Sequence, residues 1–146
     1  MNPVEFGRCV LEWFDAHGRK QLPWKENPTP YRVWVSEIML QQTQVATVIP
    51  YYRRFVERFP DIRALADASP DAVLSLWAGL GYYARARHLH RAARILRDRW
   101  GAEMPLDISA LQELPGIGRS TAGAILALAA GQRHPILDGN VKRLLA

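Results

Sequence analysis

Apolar residues recur every three or four positions along most of the chain, which is the spacing of amphipathic helices. Residues 4–14 form the first such segment, and Gly18 follows it as the expected C-terminal cap. In residues 31–40 the apolar positions cover most of the helix surface, so that helix should be largely buried. No alternation of apolar and polar residues is long enough for a strand. The pattern therefore predicts an all-helical fold.

Prolines and glycines mark the boundaries between the predicted helices. Three prolines between positions 23 and 30 predict a loop, and Pro30 suits the first turn of the helix that follows. Thr43 is the expected cap of the next helix, in which Pro50 predicts a kink or break and Pro60 the end. Further helices are predicted at residues 62–68, at 71–77, after Gly81, at 106–114, at 119–130 and from 139 onward.

The composition fits a single domain. A chain of 146 residues with 49% apolar composition is long enough for one core, and two would be crowded. The absence of a long apolar run and of a secretory signal leads us to expect a soluble intracellular protein. Cys9 is the only cysteine, so this chain alone makes no disulfide and no cysteine-ligated metal site. The histidines lack ligand spacing, and no bound metal is expected.

The net charge of +5 is concentrated in one segment. Between Gly81 and Trp100 there are six arginines and one acid, which accounts for the whole net charge. This placement predicts a strip that faces phosphates on a polyanionic partner. A solvated helix face would give the same pattern, and both interpretations stay open. The arginines are Arg85, Arg87, Arg91, Arg94, Arg97 and Arg99.

A glycine hairpin joins two predicted helices near residue 117. Its sequence is Leu114-Pro115-Gly116-Ile117-Gly118-Arg119-Ser120-Thr121-Ala122. Glycines let the backbone turn tightly and approach a ligand, and free amides at the start of the second helix favour a phosphate oxygen. This string resembles the helix-hairpin-helix DNA-binding motif, with Gly116, Ile117, Gly118 and Arg119 as the phosphate-binding residues. Such a contact positions a duplex without reading its sequence.

Asp138 follows the hairpin and directly precedes a predicted helix. By itself an aspartate there is most often a helix cap. A hairpin followed by an aspartate resembles the endonuclease III superfamily of DNA glycosylases. The resemblance implies that the Asp138 carboxylate stabilises positive charge on the deoxyribose as the base leaves.

Residues 35–45 place one carboxylate in an apolar helix and a run of amides directly after it. This segment resembles the adenine DNA glycosylases of the MutY type, and the likeness extends from Trp13 to Lys142. It implies that Glu37 is the catalytic acid and that Gln42 and Tyr82 enter the base stack. It further implies DNA contacts by Gln41, Thr43, Leu80, Arg85, Arg87, Ser120 and Lys142, and a base pocket formed by Trp24, Lys25, Leu40 and Asn140.

The chemistry of adenine removal independently favours an acid at position 37. Adenine is a poor leaving group unless a ring nitrogen is protonated, so the enzyme needs an acid that keeps its proton near neutral pH. Burial of Glu37 among apolar neighbours would raise its pKa from about 4.3. The alternatives are a partly exposed helix residue and a structural ion-pair partner. With Asp138 ionised, the two carboxyls would divide the work as in glycoside hydrolysis.

Ser120 predicts the type of reaction. In bifunctional relatives of endonuclease III the position two after the second hairpin glycine is a lysine, which attacks the sugar as an amine. A serine hydroxyl cannot form that Schiff base, so base removal without strong strand cleavage is expected. Lys142 lies nearby in sequence and is expected to contact phosphate, while Tyr83 is expected to be a core aromatic.

The resemblance implies an all-α helix-hairpin-helix DNA glycosylase fold. Residues 30–138 would form a six-helix barrel, and residues 1–20 a helix of the iron–sulfur domain, whose [4Fe–4S] cluster would be held by cysteines beyond residue 146. The implied partner is duplex DNA with an adenine mispair, bound by a monomer in the cytoplasm or nucleoid of a bacterium. The alternatives are a glycosylase for another mispaired base, such as thymine opposite guanine, and a non-catalytic DNA-binding module.

Overall fold

The computed structural model describes residues 22–129, and this part of the chain is helical without any strand. It consists of one 3-10 turn, Pro23–Lys25, and seven helices: α1 Pro30–Leu40, α2 Val45–Arg58, α3 Ile62–Asp67, α4 Pro70–Trp77, α5 Ala84–Trp100, α6 Ile108–Gln112 and α7 Arg119–Ala129. The all-helical prediction is confirmed for these residues. The helices predicted at residues 4–14 and from residue 139 lie outside them. Within the described range, no helix has the length and apolar character needed to cross a membrane.

Short polar side chains begin four of these helices. Thr29 accepts a hydrogen bond from the Arg32 amide at 3.2 Å, and α1 begins at Pro30, which confirms the predicted place of this proline. Caps of this kind contribute about 1 kcal/mol each. The others are Asp61 on α3, Ser69 on α4 and Asp107 on α6.

The structure differs from the sequence prediction at two positions in the α1–α2 region. Thr43 does not cap α2, because Gln44 occupies the cap position and the Thr43 hydroxyl donates to the Gln41 carbonyl instead. Pro50 does not break α2, which continues from Val45 to Arg58. A proline in a helix removes one backbone donor, and here Pro50 is exposed, so solvent can satisfy the carbonyl left without a partner.

The core is built around α1. The side chains of Trp34, Val35 and Met39 have no exposed surface, and α1 packs against α2, α5 and α7. On one side, aromatic rings of α2 and α4 meet edge to face, with Phe55 and Trp77 centroids 6.0 Å apart. The expectation that the helix at residues 31–40 is largely buried is therefore confirmed for α1. Polar side chains on α1 consequently lie close to the apolar core.

The arginines of α5 do not form one uniform strip. Arg94 and Arg97 both donate to the Ala66 carbonyl at the end of α3, at 3.4 and 3.3 Å, and Arg97 also pairs with Asp67 at 3.0 Å. These two side chains join α5 to α3 and correct the expectation that they face phosphates. The side chains of Arg87, Arg91 and Arg99 are exposed and make no hydrogen bond with another residue of the 22–129 range.

The predicted hairpin connects α6 to α7. Leu114 and Ile117 are buried, and the Ile117 amide donates to the Leu114 carbonyl at 3.2 Å. Gly116 has φ +79°, and a Cβ added there would lie 2.9 Å from the Cβ of His88 on α5. The turn and the close approach both require glycine.

Replacing Gly116 with alanine should destabilise the fold. The left-handed backbone costs an alanine about 1–2 kcal/mol, and the contact with His88 adds to this. Gly118→Ala is the matched control, since Gly118 is not left-handed and an added Cβ there meets no described atom within 4 Å. Urea unfolding of the full-length protein should show a lower midpoint for G116A and little change for G118A. Equal midpoints would contradict this account of the hairpin.

Candidate active site

Glu37 lies in the second half of α1 and is half-buried. Burial raises the pKa of its carboxyl above the ordinary value, and desolvation is the cause. Among residues 22–129 no side chain forms an ion pair or hydrogen bond with it. The described residues therefore do not support a structural ion pair, and the group retains its proton to higher pH than a surface glutamate.

The packing of α1 explains why this carboxyl is poorly solvated. Its neighbours in the chain, Ser36 and Ile38, are both buried, as is Trp34 one turn earlier. Gln41 lies four residues after Glu37, so both fall on the same side of the helix axis. The Gln41 amide donates to the Thr121 hydroxyl on α7 at 3.3 Å. This spacing indicates that Glu37 shares a side of α1 with Gln41, whose side chain contacts the helix after the hairpin.

Two exposed side chains from separate loops line one open groove. Gln42 follows α1 and Tyr82 precedes α5, and both line this groove together with Gln41, Ala84 and Arg85. Both have left-handed backbones, with φ +59° and +52°. Such conformations are uncommon outside glycine and concentrate at functional sites. The structure brings together the two residues expected to enter the base stack, and that role stays a prediction.

Arg85 points into the protein, and this side chain was expected to contact DNA. Its Nη1 donates to the carbonyls of Ile38 at 2.7 Å, Met39 at 2.9 Å and Gln41. Its Nη2 donates to the Thr43 hydroxyl at 3.2 Å and the Gly81 carbonyl at 3.3 Å. These contacts correct the expected phosphate contact, because protein oxygens engage both Nη groups. Nε is buried and has no hydrogen-bond partner among the described residues.

The loop between α4 and α5 is held by several side chains. The Tyr51 hydroxyl donates to the Ala78 carbonyl at 2.9 Å, and the Trp77 indole donates to the Gly81 carbonyl at 3.1 Å. A Cβ on Gly79, which has φ +93°, would collide with the Tyr51 hydroxyl. Sequence reasoning missed Tyr51, since an aromatic on an amphipathic helix gives no sign of a bond to a distant loop.

The structure shows the environments of two further side chains of this loop. Tyr83 is 42% exposed, and its hydroxyl accepts a hydrogen bond from the Gly79 amide at 3.2 Å, so it is not a core aromatic. Leu80 is only 6% exposed and belongs to the core cluster. Its side chain therefore packs in the core, and the expected DNA contact stays a prediction.

The remaining predicted site residues are distributed as follows. Trp24 packs edge to face on Tyr52, with ring centroids 5.4 Å apart, and Leu40 is partly buried against the core. Arg87, Arg119 and Ser120 are exposed, and the first backbone bond of α7 runs from the Ala122 amide to the Gly118 carbonyl. The amides of Arg119 and Ser120 consequently have no acceptor within the helix. Asp138, Asn140, Lys142 and the Lys25 side chain lie outside what the structure describes.

The sequence of the chain matches one protein family and several characterised relatives. Residues 35–146 match the family described as HhH-GPD superfamily base excision DNA repair protein. The adenine DNA glycosylase of Buchnera aphidicola from Schizaphis graminum is 51% identical over 96% of this chain and 40% of its own length. The human adenine DNA glycosylase is 46% identical over 96% of this chain and 27% of its own length. The chain thus spans well under half of these relatives.

Solved structures share the fold. A thermostable thymine-DNA glycosylase superposes with a TM-score of 0.78 at 24% identity, over 92% of this chain and 62% of that one. Endonuclease III in a non-covalent DNA complex gives a TM-score of 0.73 at 20% identity, over 100% of this chain and 68% of that one. With the match across residues 35–146, this chain belongs to the HhH-GPD superfamily of base excision DNA repair proteins.

Proposed function

We propose that the protein carrying this chain is a monofunctional adenine DNA glycosylase, which hydrolyses the N-glycosidic bond of adenine mispaired with 8-oxoguanine or guanine. The observation that carries the proposal is the desolvated Glu37 carboxyl on α1, with its raised pKa. The relatives named adenine DNA glycosylase, at 51% and 46% identity, support the choice of adenine.

Glu37 acts as the proton donor in this reaction. A neutral carboxyl can protonate a ring nitrogen of adenine, which turns the base into a better leaving group. Help of this kind typically accelerates a reaction by about 10²- to 10⁴-fold. Because desolvation is what raises the pKa, the donor depends on the packing of α1 and needs no second charged residue.

Asp138 is assigned the complementary task. As the base leaves, positive charge develops on the sugar, and an ionised carboxylate stabilises it. Two carboxyls in different environments can hold different protonation states at one pH. This role rests on the position of Asp138 after the hairpin in the sequence.

Ser120 limits the reaction to base removal. It is the second residue of α7 and is exposed beside the hairpin. Its hydroxyl cannot form the Schiff base through which an amine nucleophile leads to strand cleavage. The abasic site therefore remains intact after hydrolysis.

Duplex DNA with an adenine mispair is the proposed partner. The exposed amides of Arg119 and Ser120 suit a phosphate oxygen at the start of α7, and the exposed Arg87 adds positive charge. The adenine must leave the base stack to reach Glu37, which costs a few kcal/mol and less at a mispair. Gln42 and Tyr82 line one open groove, and their exposed side chains are proposed to fill the space that the adenine leaves.

The proposed reaction uses no iron–sulfur cluster held by residues of this chain. The chain contains one cysteine, Cys9, so it cannot supply a four-cysteine site. The family resemblance implies a [4Fe–4S] cluster in the full-length protein, which cysteines outside this chain would hold, and no step above depends on it.

Excision assays on three duplexes test the function. The full-length protein is incubated with adenine opposite 8-oxoguanine, adenine opposite guanine, and thymine opposite guanine, and strands are analysed with and without hot alkali. Cleavage at adenine only after alkali is expected. Cleavage at thymine instead would identify a glycosylase for another base, and cleavage without alkali would contradict the role of Ser120.

Glu37→Gln provides the matched variant in the same assay. The amide keeps the shape of the side chain but has no acidic proton to transfer to the base, so excision should fall by about 10²-fold or more. Binding to the mispaired duplex should be largely retained. Excision at the wild-type rate would remove Glu37 from the mechanism.

The same substitution should change how stability depends on pH. Because folding raises the Glu37 pKa, the folded state binds more protons than the unfolded state between the two pKa values. The wild-type free energy of unfolding therefore falls as pH rises from the unfolded pKa, about 4.3, through the raised folded pKa. E37Q lacks this loss, so its stability relative to wild type should increase with pH and then level off.

Urea unfolding midpoints of the full-length proteins from pH 3 to 8 measure this difference. Glu57→Gln is the control, because Glu57 is exposed on α2 and its replacement should change stability by less than about 0.5 kcal/mol throughout. A constant difference between E37Q and wild type over the whole range would show that folding does not desolvate Glu37.

A further inference from the structure

We propose that Arg85 is a positioning residue whose guanidinium holds the Gln42 and Tyr82 loops in the shape needed to take an adenine out of the base stack. The inference rests on the proposed function and adds a residue to it that contacts neither the base nor the sugar. Arg85 lies in the first turn of α5, and all five of its hydrogen-bond acceptors belong to the ends of neighbouring segments.

Arg85 first fixes the end of α1. The last carbonyls of a helix have no amide partner inside the helix and carry partial negative charge. Arg85 Nη1 donates to the carbonyls of Ile38 and Met39 in that last turn, and Nη2 donates to the Thr43 hydroxyl beyond it. The chain that carries Gln42 is thereby held on both sides.

The same guanidinium also fixes the loop before α5. Nη2 donates to the Gly81 carbonyl at 3.3 Å, and the guanidinium carbon lies 5.4 Å from the centroid of the Tyr82 ring. It also lies 5.4 Å from the ring centroid of Trp77, which is fully buried. The tyrosine loop is therefore tied through Arg85 to the core.

The two strained residues are anchored in the same way. Gln42 and Tyr82 have positive φ, and Arg85 binds the carbonyl directly before each of them, those of Gln41 and Gly81. Each of these carbonyls belongs to the peptide group that leads into the left-handed residue, so holding it limits rotation at that residue. Trp77 also donates to the Gly81 carbonyl and Thr43 to the Gln41 carbonyl, but Arg85 is the side chain that binds both, although the two left-handed residues are separated by 40 positions in the sequence.

Only arginine suits this arrangement. Its planar group presents several donors in a fixed fork, whereas a lysine ammonium is a compact point charge on a flexible stem. Lysine can retain the charge beside the end of α1 but cannot hold both loops at once. Loops that are already ordered lose less conformational entropy when they bind DNA. The contribution of Arg85 should therefore appear as a faster removal of adenine from the base stack.

The test compares two duplexes that differ in the cost of extruding adenine. In one, adenine faces guanine; in the other, it faces a tetrahydrofuran abasic analogue and has no pairing partner. Single-turnover excision rates are measured with saturating full-length enzyme. Arg85→Lys should lower the rate on the mispair by about tenfold or more and on the unpaired adenine by about threefold or less, since extrusion is cheapest for an unpaired base.

Arg97→Lys is the matched control. Arg97 also lies on α5 and donates to a carbonyl at a helix end, that of Ala66. Its side chain makes no hydrogen bond to the loops of Gln42 and Tyr82 within the described residues. The Arg97→Lys substitution should change the excision rates on the two duplexes by the same factor. Thr43→Val keeps the side-chain shape but removes one acceptor of Arg85 and the Thr43 hydrogen bond to the Gln41 carbonyl, and it should alter the ratio in the same direction as R85K, but less.

The outcomes distinguish a failure of the positioning role of Arg85 from a failure of the proposed glycosylase function. Equal losses on both duplexes for R85K and T43V would overturn the positioning role and leave the glycosylase function intact. Failure of the wild-type protein to release adenine from either duplex would overturn the proposed function, and the inference with it. A change in the ratio with both variants and not with R97K supports the inference.

Discussion

The enclosure of α1 is the constraint on which the other features depend. This helix contacts α2, α5 and α7, and Trp34, Val35 and Met39 have no exposed surface. A carboxyl on such a helix loses part of its hydration. This loss destabilises the charged carboxylate more than the neutral acid, which raises the pKa. The raised pKa of Glu37 therefore follows from helix packing, and it explains how a glutamate can serve as an acid in this fold.

The same enclosure creates a problem at the end of α1, where carbonyls without amide partners meet the interior. Unpaired polar groups in such places are costly. Arg85 satisfies several of these carbonyls and also reaches the loop of Tyr82. As a result, the helix with the proposed acid and the two loops with the proposed wedge side chains are connected through one guanidinium.

Much of the helical framework could be predicted from the sequence, because prolines, caps and apolar spacing act locally. The Gly116 turn and the burial around Glu37 also follow from local patterns. The role of Arg85 does not, since six arginines on one helix look alike in sequence while their partners depend on which neighbour each one faces. For a similar reason, the sequence did not show that Leu80 is buried and that Tyr83 is exposed. The conformation of the loop determines which apolar side chain turns inward. Asp138 remains a prediction from its place after the hairpin.

A carboxyl-carbon NMR titration of Glu37 tests the central claim most directly. The full-length protein is labelled at glutamate side-chain carboxyls, and the signal absent from E37Q is assigned to Glu37 and followed with pH. The account predicts a midpoint clearly above the ordinary glutamate value of about 4.3. A midpoint at or below that value would show that Glu37 is ionised in the working enzyme and would contradict its role as the proton donor.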